Sequence, residues 1–142
     1  MSMIDAAMTE ALGRFLDVDV ARHKLIVSNL ANIDTPGYHT RDLDFRAELS
    51  RAGMKNQQSS ASENGSLHYA SFSQNSTPHA AYTPVVRRIR GLLERPDGNN
   101  VSVERESLLL AETQMKFNLG VQLLKDEFHS ISQAINSGGT SS

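Results

Sequence analysis

Five histidines are the side chains in this 142-residue sequence best suited to metal binding or proton transfer. They are His23, His39, His68, His79 and His129. No two of them stand four residues apart, and none belongs to an HExxH-like motif. The spacing favours solvated or interface histidines over a metal centre or an acid-base site. We therefore predict no metal and no cofactor.

Two carboxylates, Asp42 and Asp44, are spaced so that an extended segment would place both on one face. A carboxylate pair of this kind can serve general acid-base catalysis. The sequence supplies no recognisable partner acid or nucleophile, and it contains no cysteine. We interpret the pair as an interfacial salt bridge or a solvated pair, and we expect that the protein is not an enzyme.

One basic cluster, RRIR at residues 87–90, is the only feature that suggests nucleic-acid binding. The formal net charge of the chain is −2, so no global positive field accompanies the cluster. A charged contact between subunits or a solvated face is the favoured interpretation. We predict protein partners and no nucleic acid.

The composition indicates a thin hydrophobic core. Hydrophobic residues make up 39% of the chain and aromatic residues 6%, and there is no Trp. No apolar run approaches the roughly 20 residues that a membrane-spanning helix needs. The N-terminus lacks the features of a cleaved secretory signal. We expect no membrane span, and any export to proceed without a cleaved signal peptide.

The N-terminal part of the chain has the apolar periodicity of a long helix, with spacings that alternate between four and three. The row comprises Ile4, Met8, Ala11, Phe15 and Val18 and continues through Arg22 and Leu25 to Asn29 and Asn32. A second row, which includes Leu12, lies beside it. Pro36 disfavours helical geometry at Thr35, so we predict that the helix ends near residues 32–34.

The TPGY sequence after this helix predicts a type II turn, because Pro36 presets φ and Gly37 accepts a positive φ. Beyond the turn, Arg41, Leu43 and Phe45 alternate with Asp42 and Asp44. This alternation predicts an extended segment that lies against a neighbour with one face buried.

The middle of the chain is poor in large apolar side chains. Residues 56–77 are mostly Ser, Asn and Gln, which is typical of a mobile loop. Residues 85–89 favour a short extended element, although a short helix also fits. PDGNN, residues 96–100, is a turn signal, and a hairpin across it is an open alternative.

The C-terminal part of the chain shows a cleaner helical row than the N-terminal part. The row comprises Leu110, Gln114, Phe117, Val121, Leu124, Phe128, Ile131 and Ile135. Ser102 is a plausible N-terminal cap, and Gly138 and Gly139 end the helix. The predicted fold is mainly α: long N- and C-terminal helices packed as an antiparallel, coiled-coil-like pair, with an extended or loop middle segment and room for a short β-hairpin.

These elements divide one structural unit into six segments. They are an N-terminal helix (1–34), a turn and extended segment (35–55), a polar flexible loop (56–84), a short strand and turn (85–101), a C-terminal helix (102–137) and a tail (138–142). A two-helix hairpin is marginal alone, and the middle is too polar to cover both helices. We therefore expect neighbouring copies or other proteins to complete the burial.

Residues 28–45, SNLANIDTPGYHTRDLDF, resemble the N-terminal signature of the bacterial flagellar rod and hook family, in which a helix end runs into A-N-x-x-T-P-G-Y. The motif positions are Ala31, Asn32, Thr35, Pro36, Gly37 and Tyr38. The segments RDLDF and PDGNNVSVERE resemble the FlgB-type proximal rod protein in particular. The short length agrees, since distal-rod and hook members are longer. A FlgC-type rod subunit is the nearest alternative.

The resemblance implies a structural subunit of the flagellar basal body, which forms part of the rod that links the membrane ring to the distal rod and hook. It implies export through the flagellar type III apparatus, polymerisation in the periplasm, and packing of the terminal helices into a tube wall. The implied partners are other copies, other rod proteins, the inner-membrane ring with its adaptor protein, and the export machinery. A peptidoglycan-acting enzyme and a non-polymerising two-helix adaptor or export substrate are alternatives from other classes.

Residues expected at subunit interfaces come from both helical rows and from the segment after the turn. They are Ile4, Met8, Leu12, Phe15, Arg41, Asp42, Leu43, Asp44, Phe45, Leu110, Phe117, Val121, Leu124, Phe128, Ile131 and Ile135.

Overall fold

The computed structural model describes residues 3–51 and 83–138. Helix α1 spans Met3–Ala31 and helix α3 spans Val103–Gly138. Between them lie strand β1 (Arg41–Leu43), helical residues 45–51 (α2) and strand β2 (Val86–Arg88). The predicted polar loop lies outside the described residues except for positions 83 and 84.

The two long helices pack against each other in antiparallel directions. The Nδ2 atom of Asn29, near the end of α1, donates to Oε2 of Glu106 near the start of α3 at 3.0 Å. Further back along α1, Leu16 faces Gly120, where an added Cβ would lie 2.8 Å from the Cδ2 atom of Leu16. Residues earlier in α1 therefore contact residues later in α3. This pairing confirms the predicted antiparallel helix pair.

Ser102 caps the start of α3, at the position where the sequence suggests it. The backbone N–H of Arg105 donates to the Ser102 hydroxyl at 3.3 Å, which satisfies one of the free donors of the first turn. Glu104 and Glu106 add negative charge there, which suits the positive end of the helix dipole. The pKa of Glu104 is lowered by its own backbone N–H and by the Ser102 hydroxyl.

The chain leaves α1 through a tight turn at Thr35–Tyr38. The backbone N–H of Tyr38 donates to the carbonyl of Thr35 at 3.2 Å, and Gly37 has a φ of 71°. These are features of the predicted type II turn, in which the third residue needs a positive φ that glycine adopts without a steric penalty.

Strands β1 and β2 form a two-stranded antiparallel sheet, with Asp42 opposite Arg87. The predicted short extended element is therefore a strand, but its partner is β1. The turn at residues 96–100 is closed by two backbone hydrogen bonds of 2.8 Å, from Gly98 to the carbonyl of Arg95 and from Arg95 to the carbonyl of Asn99, but no strands flank it. Pairing stops there because the backbone N–H of Asn100 donates to the carbonyl of Tyr38 instead.

The predicted alternation through Phe45 stops earlier, at Leu43. Asp44 caps α2 instead: its carboxylate accepts from the backbone N–H of Ala47 at 3.0 Å. Phe45 consequently turns inward and meets Phe15 edge-to-face, with ring centroids 5.4 Å apart. The prediction of an extended segment with one buried face was wrong beyond Leu43, because Asp44 caps α2 and the chain becomes helical there.

Few apolar side chains are fully buried in the described part of the chain. Three hydrophobic residues are buried, Val18, Ile26 and Leu43, against nine polar or charged ones. Hydrogen bonds and ion pairs therefore carry much of the tertiary specificity, which agrees with the thin core expected from composition.

Candidate functional site

Two turns, residues 32–38 and 96–100, interlock beside the end of α1, and we call this arrangement the turn lock. The side-chain Nδ2 of Asn99 lies within 2.8–3.0 Å of the carbonyl oxygens of Asn32, Ile33 and Thr35. The carbonyls of Asn32 and Thr35 also accept backbone N–H groups of the turn, so the amide of Asn99 adds a side-chain donor to them. Because Asn99 is fully buried, its amide replaces water at the end of the helix.

Two glycines allow the turns to approach each other. Gly37 and Gly98 both have a positive φ, 71° and 80°. A Cβ built on Gly98 would lie 3.4 Å from the Cα of Gly37, at the tight end of ordinary contact. Gly98 thus adopts the positive φ of its turn without a steric penalty, and its backbone lies close to that of Gly37.

The neighbouring Asn100 extends the turn lock to the start of β1. Its Oδ1 accepts from the backbone N–H of Thr40 at 2.7 Å, and its carbonyl accepts from the Thr40 hydroxyl at 3.2 Å. The backbone N–H of Asn100 donates to the carbonyl of Tyr38. Thr40 and Asn100 are both buried, so the family-like motif and PDGNN form one structural unit.

Asp42, on β1, is the centre of a second cluster, which joins β1 to both long helices. Arg22 on α1 donates to both carboxylate oxygens of Asp42 at 3.1 Å, and Arg105 on α3 donates to Oδ2 at 3.1 Å. Burial opposes the charge of Arg22, but the hydrogen bond and attraction from Asp42 outweigh it, and the pKa of Arg22 is raised. The expected intersubunit or solvated role of Asp42 gives way to an ion pair within the subunit. Its buried carboxylate leaves little surface for a neighbour.

Asn29 connects the helix pair to the turn, and sequence reasoning missed this role. Its amide donates to the carbonyl of Arg41 at 2.8 Å and to Glu106, and its Oδ1 accepts from the Tyr38 hydroxyl at 3.2 Å. The available signal was an asparagine on a mainly apolar helical row. Such a residue is expected to find buried hydrogen-bond partners.

The residues predicted at subunit interfaces fall into five groups. Met8, Phe117, Phe128 and Ile135 are exposed apolar side chains. Leu12, Phe15, Phe45, Leu110, Val121, Leu124 and Ile131 are half-buried. Arg41 and Asp44 are exposed, Asp42 and Leu43 are buried inside the subunit, and the side chain of Ile4 lies outside the described part.

Helix α3 carries exposed apolar side chains on two sides. The predicted row leaves Phe128 55% and Ile135 70% exposed, and we call its exposed side chains the predicted flank. A second set of exposed apolar side chains lies on another side of the helix, and the sequence analysis did not predict it, because these residues fall outside the predicted row. It comprises Leu108, Met115, Leu119 and Leu123, and we call it the second flank.

An apolar groove adjoins the second flank, where α1, α2 and α3 meet. Its volume is about 430 Å³, and its lining includes Met8, Leu12, Phe15, Leu49, Leu119 and Leu123. Exposed apolar surface of this extent marks a contact with another molecule more often than a solvated face.

The histidines do not assemble into a site in the described part of the chain. The His23 ring approaches the Thr113 hydroxyl at 3.4 Å, and His129 contacts Gln133 on the same helix. His68 and His79 lie outside the described residues. Across residues 3–51 and 83–138, no group of three or more His, Asp or Glu could hold a metal ion, and no helix is long and apolar enough to cross a bilayer.

Comparison with known proteins identifies the chain by its overall sequence. No protein-family model matches it. A curated relative from Cereibacter sphaeroides (strain ATCC 17023), named flagellar basal body rod protein FlgB, is 32% identical over 121 residues, which cover 80% of this chain and 82% of the relative. The chain belongs to the FlgB family of flagellar basal body rod proteins.

FlgB proteins from enteric bacteria match over a similar span. The Salmonella typhimurium (strain LT2) protein is 28% identical over 126 residues, 87% of this chain and 88% of that protein. The Escherichia coli (strain K12) protein is 26% identical over 129 residues, with the same coverage. These matches do not favour the FlgC-type alternative. The turn lock lies within the two segments whose sequences resemble rod proteins, residues 28–45 and 96–106, and it holds these segments together.

Proposed function

We propose that this chain is a structural subunit of the proximal rod of the bacterial flagellar basal body and that it polymerises through its two long helices. The observation that carries the proposal is the exposure of apolar side chains on both flanks of α3, in a subunit with few buried apolar residues. A helix in a tube wall has neighbours on both sides, and such neighbours would cover both flanks.

Membership of a family of basal body rod proteins supports assembly with other rod components. The proposed partners are other copies of this chain, other rod proteins, the inner-membrane ring with its adaptor protein, and the type III export machinery. The site of assembly is the periplasmic part of the basal body, reached without a cleaved signal peptide. A subunit with a thin core is easily kept unfolded for passage through a narrow channel.

The predicted flank offers the most direct test. Phe128→Asp places a charge on a surface that is exposed in the subunit and buried in the proposed rod. We expect the isolated variant to keep the helicity of the unchanged protein by circular dichroism. In cells that lack their own copy of the gene, we expect it to abolish rods and swimming.

The matched control is Asn136→Asp, which places the same charge at an exposed polar position of α3 away from both flanks. It should support rods and swimming. Normal swimming of the Phe128→Asp strain would contradict the assignment of this flank to the rod interior.

A second experiment separates the rod subunit from a soluble adaptor. The purified protein is mixed with the other rod subunits and viewed by electron microscopy. Ordered tubes or rings are the expected product, whereas a discrete soluble complex would support the adaptor. The isolated chain should melt at low temperature, and a cooperative, high-temperature melt would count against the need for neighbours.

A further inference from the structure

Asp19 is a buried carboxylate that the turn lock and the Asp42 cluster do not use. It lies on α1 with a relative exposure of 1%. Its Oδ1 atom has no hydrogen-bond partner in the described part of the chain. A buried carboxylate without such a partner is costly, and folded proteins normally satisfy it. The subunit therefore holds an acceptor whose donor is absent from the residues that surround it.

The cations closest to Asp19 are already engaged elsewhere. The Nζ atom of Lys116 donates to Glu112 at 2.5 Å, and it also lies 4.5 Å from the ring centroid of Phe45. Arg22 makes its two-pronged bond to Asp42. These groups attract the Asp19 carboxylate from a distance without a hydrogen bond to it.

The electrostatics agree with an incomplete site. Burial raises the pKa of Asp19, and the attraction of Lys116, His23 and Arg22 only partly offsets this effect. The isolated subunit thus disfavours the ionised form that a cationic partner would restore.

Asp19 borders an open groove between α1 and α3 of about 470 Å³. The other lining residues are Val20, His23, Thr113, Gln114, Phe117 and Asn118. Val20 and Phe117 present exposed apolar surface, while the amides of Gln114 and Asn118 are exposed hydrogen-bonding groups. This combination suits a long side chain with an apolar stem and a cationic head, which is the form of arginine and lysine.

The same chain carries arginines that lack an acidic partner. Arg87, Arg88 and Arg90 are exposed and make no ion pair within residues 3–51 and 83–138. Phe117 also belongs to the predicted flank, so the groove is continuous with a surface that the proposed rod would cover. We propose that Asp19 receives an arginine from residues 87–90 of a second copy of this chain. This inference rests on the proposed function, because it supplies one contact between adjacent subunits.

Asp19→Asn removes the charge and keeps the side-chain size. Loss of a desolvated charge pair should weaken association between subunits at least about ten-fold. In cells without their own copy of the gene, we expect markedly fewer complete rods than with the unchanged chain. The isolated variant should be at least as stable as the unchanged protein, since no hydrogen bond of Oδ1 is lost. A merely structural residue would lower stability and assembly together.

Asp17→Asn is the matched control, since Asp17 is exposed on the same helix. It should leave rod numbers unchanged. Equal rod numbers for Asp19→Asn and the unchanged chain would overturn this inference and leave the proposed function standing. Failure of the unchanged chain to restore any rods would overturn the proposed function instead.

Crosslinking identifies the source of the cation. The chain has no cysteine, so Gln114→Cys in one copy and Arg88→Cys in another can be joined by a short bismaleimide. We expect a dimer-sized product from assembled rods, and much less when Gln122→Cys replaces Gln114→Cys. No enrichment over that control would overturn the inference. A crosslinked product that contains a different protein would show that the cation does not come from a second copy of this chain.

Discussion

The backbone N–H of Gly37 donates a hydrogen bond to the carbonyl of Asp97 at 2.8 Å. This bond joins the turn that ends α1 to the turn that precedes α3. The two helices pair along their lengths, and the turn lock sets the longitudinal position of one against the other. A shift along the helix axis would move the flanks of α3 relative to α1, so the turn lock governs the surface available for assembly.

Asn99→Ala should destabilise the subunit strongly. The substitution removes the buried amide that contacts the carbonyls of Asn32, Ile33 and Thr35. We expect a loss of about 2–4 kcal/mol in the free energy of unfolding, measured by urea denaturation. Asn136→Ala, at an exposed helical position, is the control and should change little. An equally small effect at position 99 would show that the turn lock contributes no stability.

Gly98→Ala and Gly91→Ala separate backbone conformation from close approach. Both glycines have a φ of 80°, so each substitution should lose about 1–2 kcal/mol from the left-handed conformation. The two positions differ in the space around an added Cβ. On Gly98 it would lie 3.4 Å from the Cα of Gly37, whereas on Gly91 it would have nothing within 4 Å. Thermal unfolding should therefore rank Gly98→Ala below Gly91→Ala. The reverse order would contradict close packing of the two turns.

Asp42→Asn should leave the guanidinium groups of Arg22 and Arg105 with a weaker partner. Since Asp42 is buried and accepts from both arginines, we expect a loss of about 3 kcal/mol in the free energy of unfolding. The exposed Asp126→Asn is the matched control, with an expected change near zero. If Asp42 served mainly a neighbouring subunit, the isolated variant would unfold at the same urea concentration as the unchanged protein.

Asp19→Asn should alter the pH dependence of stability. Burial raises the pKa of Asp19 above its ordinary 3.8, so the folded state holds this proton more tightly than the unfolded chain does. The resulting cost to stability is absent below about pH 3.8 and grows as the pH rises through the folded-state pKa. We expect the Asn variant to be more stable than the unchanged protein at pH 7, with the difference vanishing at about pH 3. A constant difference across that range would show that the carboxylate charge is not the cause.

Predictions that depend on neighbouring residues in the chain succeeded where the local chemistry was decisive. Pro36 fixes its own φ and Gly37 permits a positive φ whatever surrounds them, and Ser102 reaches a backbone N–H three residues away. Apolar periodicity likewise requires two long amphipathic helices. Asp44 shows the limit of such reasoning, because the same DLDF pattern fits both a strand and a capped helix start.

The amino-acid order alone was sufficient for the two long helices and the turn after α1, because each rests on contacts between close neighbours in the chain, and for the resemblance to rod proteins, which rests on the motif. Folding in three dimensions decided that Asn99 closes the end of α1, that Asp42 joins Arg22 to Arg105, and that Asp19 is left without a hydrogen-bond donor. These side chains find or miss their partners across long sequence separations. Which polar group is satisfied depends on the relative placement of whole elements, and residue spacing along one element does not specify that placement.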